Sequence, residues 1–115
     1  MYNRHNKYNV SPKEDRTANG ITFASKMEMM RYFQLLLYEK GGLIKNIKRQ
    51  PKFELIPKTA YSRAEYYFGD FQYEEKDGTI VVEDVKGFAT RVFKRKFKIA
   101  TKRYSDITFK IVDQV

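Results

Sequence analysis

Between Ser25 and Lys40, strong helix formers carry apolar residues at Met29, Phe33, Leu36 and Leu37 beside a parallel row of Met27, Met30 and Gln34. This spacing predicts a first helix, which Gly41-Gly42 stops. Leu43 to Ile56 is rich in β-branched and aromatic residues, but Pro51 cannot donate to a central ladder, so the run predicts a bulged strand. Ala64 to Tyr73 and Thr79 to Lys86 predict two further strands, joined through Lys76-Asp77-Gly78 as an antiparallel hairpin. Thr90 to Arg103 sets Phe93, Phe97 and Ala100 on one helical face, and Ile107 to Val112 alternates as a last strand. The predicted order is helix, three strands, helix, strand. A three-strand meander with a helical crossover to a fourth strand makes a mixed α/β sheet with helices packed on it.

Residues 1 to 20 show no period and end at Asn19-Gly20, which predicts a basic flexible arm ahead of a single domain over 21–115. The chain's 115 residues fit one domain of this kind. Neither a signal core nor a membrane span is present in the sequence, so a cytoplasmic setting without membrane partners is expected. With no cysteine, disulfides, zinc fingers and thiol nucleophiles are excluded, and with the single histidine, His5, in the terminal arm, so is almost every Ser-His triad. Catalysis, if present, rests on carboxylates and lysines. The net charge of +9 points to a polyanionic partner. Its distribution sharpens this: Glu65 to Asp84 holds seven acids and one base, whereas Lys86 to Arg103 holds eight bases and no acid.

Strand alternation sets Asp84 and Lys86 on one face and Val81, Glu83 and Val85 on the other. The hairpin brings Asp70 toward the same end. Two carboxylates meeting across a ladder at about 4–6 Å repel by about 3–4 kcal/mol at an effective dielectric near 20. A divalent cation reverses that sign. Mg²⁺ takes carboxylate oxygens and a backbone carbonyl such as that of Val85, and a water it acidifies, deprotonated near Lys86, can attack a phosphodiester.

Glu28, Asp70 and Asp84-x-Lys86, laid on helix, strand and strand, resemble the PD-(D/E)xK nuclease superfamily over about residues 20–112. The segments Gly20-Ile21-Thr22-Phe23, Ser25-Lys26-Met27-Glu28, Arg49-Gln50-Pro51-Lys52-Phe53-Glu54-Leu55 and Val82-Glu83-Asp84-Val85-Lys86-Gly87-Phe88 are similar to small phage-encoded members known as a domain of unknown function. In layout they are also similar to phage endonucleases that resolve branched DNA, the Holliday-junction resolvases. The resemblance implies a restriction-endonuclease-like core and a Mg²⁺-dependent endonuclease in which Mn²⁺ substitutes. It implies Asp70 and Asp84 as metal ligands, Lys86 as the water-positioning base, and Glu28 as an outer or second-metal ligand. Alternation picks Asp84 over Glu83, because the lysine two residues on must share its face.

Simpler readings stand beside these. Ser25-x-x-Glu28 is also a capping box, in which the glutamate bonds back to the helix start. Gln50 either touches substrate or is a polar residue beside the bulge. Arg91, Lys94, Arg95, Lys98 and Lys102 share the outer face of the second helix, where they either contact DNA phosphates or are solvated. Tyr66, Tyr67, Phe68, Phe71 and Tyr73 are expected mainly in the sheet core, with base stacking the less favoured role. Cutting both strands of DNA requires a homodimer. The leading alternative is a non-catalytic DNA-binding module that uses the basic helix and arm, and a weaker one is an RNA or single-strand nuclease.

Overall fold

The structure, a computed structural model, describes residues 10–115. Its elements in chain order are a 3-10 turn (Lys13–Arg16), β1 (Thr17–Ala18), β2 (Ile21–Thr22), α1 (Lys26–Lys40), β3 (Ile44–Arg49) and β4 (Lys52–Ile56). They continue with β5 (Glu65–Phe68), β6 (Phe71–Glu75), β7 (Ile80–Val85), α2 (Arg91–Arg103) and β8 (Ile107–Val112). The main sheet has the order β3-β6-β7-β8. β3, β6 and β7 form the expected antiparallel meander, and β8 returns parallel to β7 after the α2 crossover. The two helices take opposite faces. Phe71, Tyr73, Val81 and Val85 pack toward α1 through Leu35, while Val82 and Phe109 pack toward α2 through Ala100. No described helix is long and apolar enough to cross a membrane.

Each of the first two predicted strands is broken in two. β3 gives way to β4 at Gln50-Pro51, and β5 to β6 at Gly69-Asp70. The two breaks face each other: the Gln50 amide donates to the Asp70 carbonyl at 2.9 Å, and the Gly69 amide donates to the Pro51 carbonyl at 3.0 Å. The hairpin is therefore continuous but bent. Gln50 adopts a left-handed φ of 52°, and proline after it removes a ladder donor. Gly69 is required for a different reason, because a Cβ there would lie 2.6 Å from Cγ1 of Val82. Beyond the bend, β4 and β5 leave the main sheet as their own pair and lay Phe53, Leu55 and Tyr67 on α2.

Of the arm expected over 1–20, residues 1–9, with Arg4, His5 and Lys7, lie outside the described residues. From Val10 onward the arm is folded rather than loose. Thr17 pairs with Thr22 across a turn in which Asn19 and Gly20 both have positive φ, the tight-hairpin geometry. That turn delivers Phe23, 1% exposed, into the core.

The rotation of α1 also departs from the expected rows. Its buried stripe is Glu28 and Leu35, with Tyr32 packed between, whereas Phe33 and Leu37 are exposed, Leu37 at 68%. Apolar residues lie nearly all round this helix, so periodicity underdetermines its face. Polar anchors decide it. Arg31 forks onto Glu83 of β7, Nε to Oε1 at 2.8 Å and Nη2 to Oε2 at 2.7 Å, and the Tyr73 hydroxyl donates to the same carboxylate. Burial alone would raise the pKa of Glu83, but the Arg31 guanidinium and the Tyr73 hydroxyl outweigh it and hold the carboxyl below its ordinary range. Lys110 adds a longer contact at 3.6 Å.

Removing the arginine leaves a fully buried charge short of its partner. Arg31→Met is expected to lower unfolding free energy by about 3–5 kcal/mol in urea titrations. Adding Glu83→Gln, which keeps an acceptor for Tyr73, is expected to recover part of that loss. A single variant as stable as wild type would show that the pair does not hold α1 in place.

Candidate active site

Helix α1 starts where its capping residue is extended: Ser25 has φ −150°, and its Oγ accepts from the Glu28 amide at 3.0 Å. The Glu28 carboxylate folds back and accepts from the amide of Ala24 at 3.2 Å. The capping box is thus present in shifted form, one residue upstream of its usual return bond. It does not exhaust the side chain, because the Glu28 carboxyl also hydrogen-bonds the carboxyl of Asp70. Burial pushes its pKa up to about 8, and the hydrogen bond and charge of Asp70 add to the rise. Glu28 therefore keeps its proton into the neutral range.

Asp70 sits at the apex of the bent hairpin, fixed on three sides. Its Oδ2 accepts from the Val85 amide at 2.7 Å, its amide donates to the Glu83 carbonyl at 2.9 Å, and its carbonyl takes the Gln50 amide. The acid that meets it directly is Glu28. Asp84 has a different neighbour: its Oδ1 lies 3.4 Å from Nζ of Lys86, which confirms the shared face expected from alternation. Asp84 is 1% exposed, and its Oδ2 has no hydrogen-bond partner among the described residues. Burial raises its pKa to about 6 against the opposing charge of Lys86. The Lys86 ammonium also lies 4.8 Å from the centre of the Phe93 ring, so the first turn of α2 helps to place it.

Glu28, Asp70, Val85 and Lys86 line a single cleft of about 650 Å³ whose wall includes Lys26 and Thr90. Asp84 adjoins it through Lys86. Among the described residues no group of three or more Asp, Glu or His side chains is arranged to hold a metal ion. The acids stand as a pair, Glu28 with Asp70, and a single carboxylate, Asp84.

The other predicted residues divide. Gln50 is exposed, and its recorded role is the backbone bond to Asp70 that holds the bend. Arg91, Lys94, Arg95, Lys98 and Lys102 are all exposed along α2, which begins after the cleft-lining Thr90. Arg95 is engaged with Glu65 at 2.8 Å. Two residues at or beside the site escaped the sequence reading. Arg49 places its guanidinium 4.9 Å over the Phe23 ring, leaves a buried Nε unpartnered among the described residues and adds its charge beside Glu28. Arg31 fixes the neighbouring Glu83. Arg31 is a lone base in an apolar stretch, which was its available signal, whereas Arg49 follows Lys48 in a basic run and carried none.

A mixed α/β core that gathers acids and one lysine at the end of a bent hairpin defines the class of site. The chain belongs to the family described as Protein of unknown function (DUF1064), whose model matches residues 5–114. No curated protein and no solved structure matches it.

The raised pKa of Glu28 predicts how stability varies with pH in chelator. Between the ordinary carboxylate pKa and about 8, the folded chain keeps a proton that the unfolded chain has released, so stability falls as pH rises through that window. Asp84 adds to the fall below about pH 6. Melting temperatures in EDTA are expected to decline from pH 5 to 8, and Glu28→Gln is expected to remove most of the slope above pH 6. A wild-type profile that is flat or rising between pH 6 and 8 would contradict a proton held by Glu28.

Proposed function

We propose that this chain is a divalent-metal-dependent DNA endonuclease that hydrolyses phosphodiesters on branched or otherwise structured DNA. The observation that carries this reading is the buried Oδ2 of Asp84, unpartnered among the described residues, beside Lys86 and next to a cleft lined by Glu28 and Asp70. Buried polar oxygens are nearly always satisfied, and an exception beside further carboxylates is suited to a cation. The resemblance to PD-(D/E)xK nucleases supports the same assignment, because Glu28, Asp70, Asp84 and Lys86 fall on the corresponding elements. The branched-substrate part rests on that resemblance.

The carboxylates of Asp70 and Asp84, with the carbonyl of Val85, would hold Mg²⁺ or Mn²⁺, with Glu28 as an outer ligand; oxygen donors of this kind fit a hard cation. When bound, the ion supplies Lewis acidity and a water of lowered pKa. The chain's own residues do the rest. The Lys86 ammonium, held between the Asp84 carboxylate and the Phe93 ring, faces the cleft and stabilises negative charge that grows on the phosphate. Arg91, Lys94, Lys98 and Lys102 contact flanking phosphates on the outer face of α2, with Arg95 available when DNA competes with Glu65. One chain carries one such centre, so cutting both strands uses two copies.

Cleavage of supercoiled and four-way-junction DNA in Mg²⁺ tests the reading. Asp84→Asn and Asp70→Asn are expected to reduce cleavage to background while DNA binding is kept or tightened, and Lys86→Ala to slow it by about 10²–10⁴-fold. Wild-type rates in Asp84→Asn would leave a non-catalytic DNA-binding module in its place.

Phosphate contact by α2 has its own measure. Each contact adds about 0.9 to the slope of log affinity against log salt, so replacing Lys94, Lys98 and Lys102 together with alanine is expected to flatten the slope by about 2–3. An unchanged slope in a folded triple variant would move the DNA to another surface.

A further inference from the structure

Beyond the bend, the β4–β5 pair has two unlike faces. Phe53, Leu55 and Tyr67 point toward α2 and are buried. Opposite them, Lys52, Tyr66 and Phe68 lie on the outer face, and Phe68 is 57% exposed. The rings of Tyr66 and Phe68 are 6.5 Å apart, and Nζ of Lys52 lies 4.1 Å from the first ring and 5.9 Å from the second. The core gains nothing from aromatic residues here, since their inner neighbours already fill it. The acids at this end are both engaged by arginines, Glu54 by Arg103 at 3.7 Å and Glu65 by Arg95 at 2.8 Å. Lys52 and the exposed Lys58 and Arg63 of the β4–β5 loop therefore leave the face positive.

The position of this face matters as much as its chemistry. It lies on the side of the sheet away from α2, the side that α1 covers in the main sheet. Phe68 is two residues before Asp70, so their Cα atoms are at most about 7 Å apart. Gly69 between them is wedged against Val82 and Pro51 and fixes the step from platform to cleft.

We propose that Phe68 and Tyr66 form a stacking platform for unpaired nucleotides of the DNA strand whose phosphate enters the Glu28–Asp70 cleft, with Lys52 neutralising the adjoining phosphate. The proposal rests on the reading of this chain as a DNA-cleaving protein and deepens it by naming the feature of the substrate that is recognised. In a duplex each base face is already covered by its neighbours, so exposed rings gain little from it. An unpaired nucleotide offers a free π-face, and stacking it on an aromatic side chain is worth about 1–3 kcal/mol per base. Unpaired nucleotides occur where branched and flapped DNA departs from the duplex, which connects the platform to structured substrates.

Binding in EDTA, where no cleavage is required, tests the platform directly. Fluorescence anisotropy is read with a labelled oligothymidine and with a blunt hairpin duplex, on wild type, Phe68→Ala and the double variant Tyr66→Ala/Phe68→Ala. Phe68→Ala is expected to weaken oligothymidine binding by about 5- to 150-fold, the same stacking range as a ratio, and the double variant by more, with duplex affinity unchanged. Phe68→Trp is expected to keep the affinity. The chain has no tryptophan, so that variant's emission comes from one indole, and oligothymidine should quench it. Equal oligothymidine affinity in Phe68→Ala and wild type, an equal loss on duplex, or no oligothymidine binding by wild type would each overturn the proposal. Phe68-dependent binding by a protein that cuts no DNA would remove the endonuclease reading and leave the platform standing. Cleavage with no dependence on Phe68 would do the reverse.

Discussion

Strand β7 carries two consecutive buried carboxylates, Glu83 and Asp84, which alternation turns to opposite faces of the sheet. A buried carboxylate destabilises a fold unless something nearby compensates its charge. On the α1 side compensation is thorough: Arg31, Tyr73 and Lys110 surround Glu83, and the demand for Arg31 at that point sets the rotation of the whole helix. On the α2 side it is partial, because Lys86 reaches only one oxygen of Asp84. The same rotation that serves Glu83 puts Glu28, one turn earlier on the stripe, against Asp70. The structural ion pair and the proposed catalytic acids are consequences of a single docking geometry.

The bend in the long hairpin is the second organising feature. It frees the backbone of Asp70 from regular pairing, so that its carboxylate can take the Val85 amide while its amide and carbonyl remain bonded. It also turns β4 and β5 away from the main sheet, which buries one aromatic face on α2 and leaves the other open. Site and platform meet at Gly69-Asp70, where one residue has no room for a side chain and the next supplies a carboxylate.

Much of this was legible in the sequence, and the exceptions have identifiable causes. Gly41-Gly42, the Lys76-Asp77-Gly78 turn and the Phe93/Phe97/Ala100 face each act locally, so α1's end, the β6–β7 hairpin and α2 follow from short stretches. The Asp84–Lys86 relation needed only the two-residue period of a strand. Pro51 announced a disturbance in the first strand, but its matching break at Gly69-Asp70 is a pairing effect that one strand alone does not reveal. The face of α1 was misread because Met30, Phe33 and Leu37 are as apolar as the residues that are buried. What turns the helix is Arg31 finding Glu83, 52 residues later in the chain. Asp70 was expected across from Asp84 with Glu28 as an outer ligand, and the carboxyl that it meets directly is that of Glu28, the helix-capping residue. Serving as a cap and meeting an acid proved compatible, since the two roles use different contacts of the same side chain.

The proposed cation site built on Asp70 and Asp84, with Glu28 as an outer ligand, is open to a direct measurement. Thermal unfolding of the wild type and of Asp70→Asn, each with and without Mn²⁺, tests it without reference to any DNA substrate. A ligand that binds only the folded chain at 100 times its Kd adds about 2.7 kcal/mol of stability. The account predicts that Mn²⁺ raises the wild-type Tm in a concentration-dependent way and leaves that of Asp70→Asn unmoved; no shift in the wild type, or the same shift in both, would contradict it.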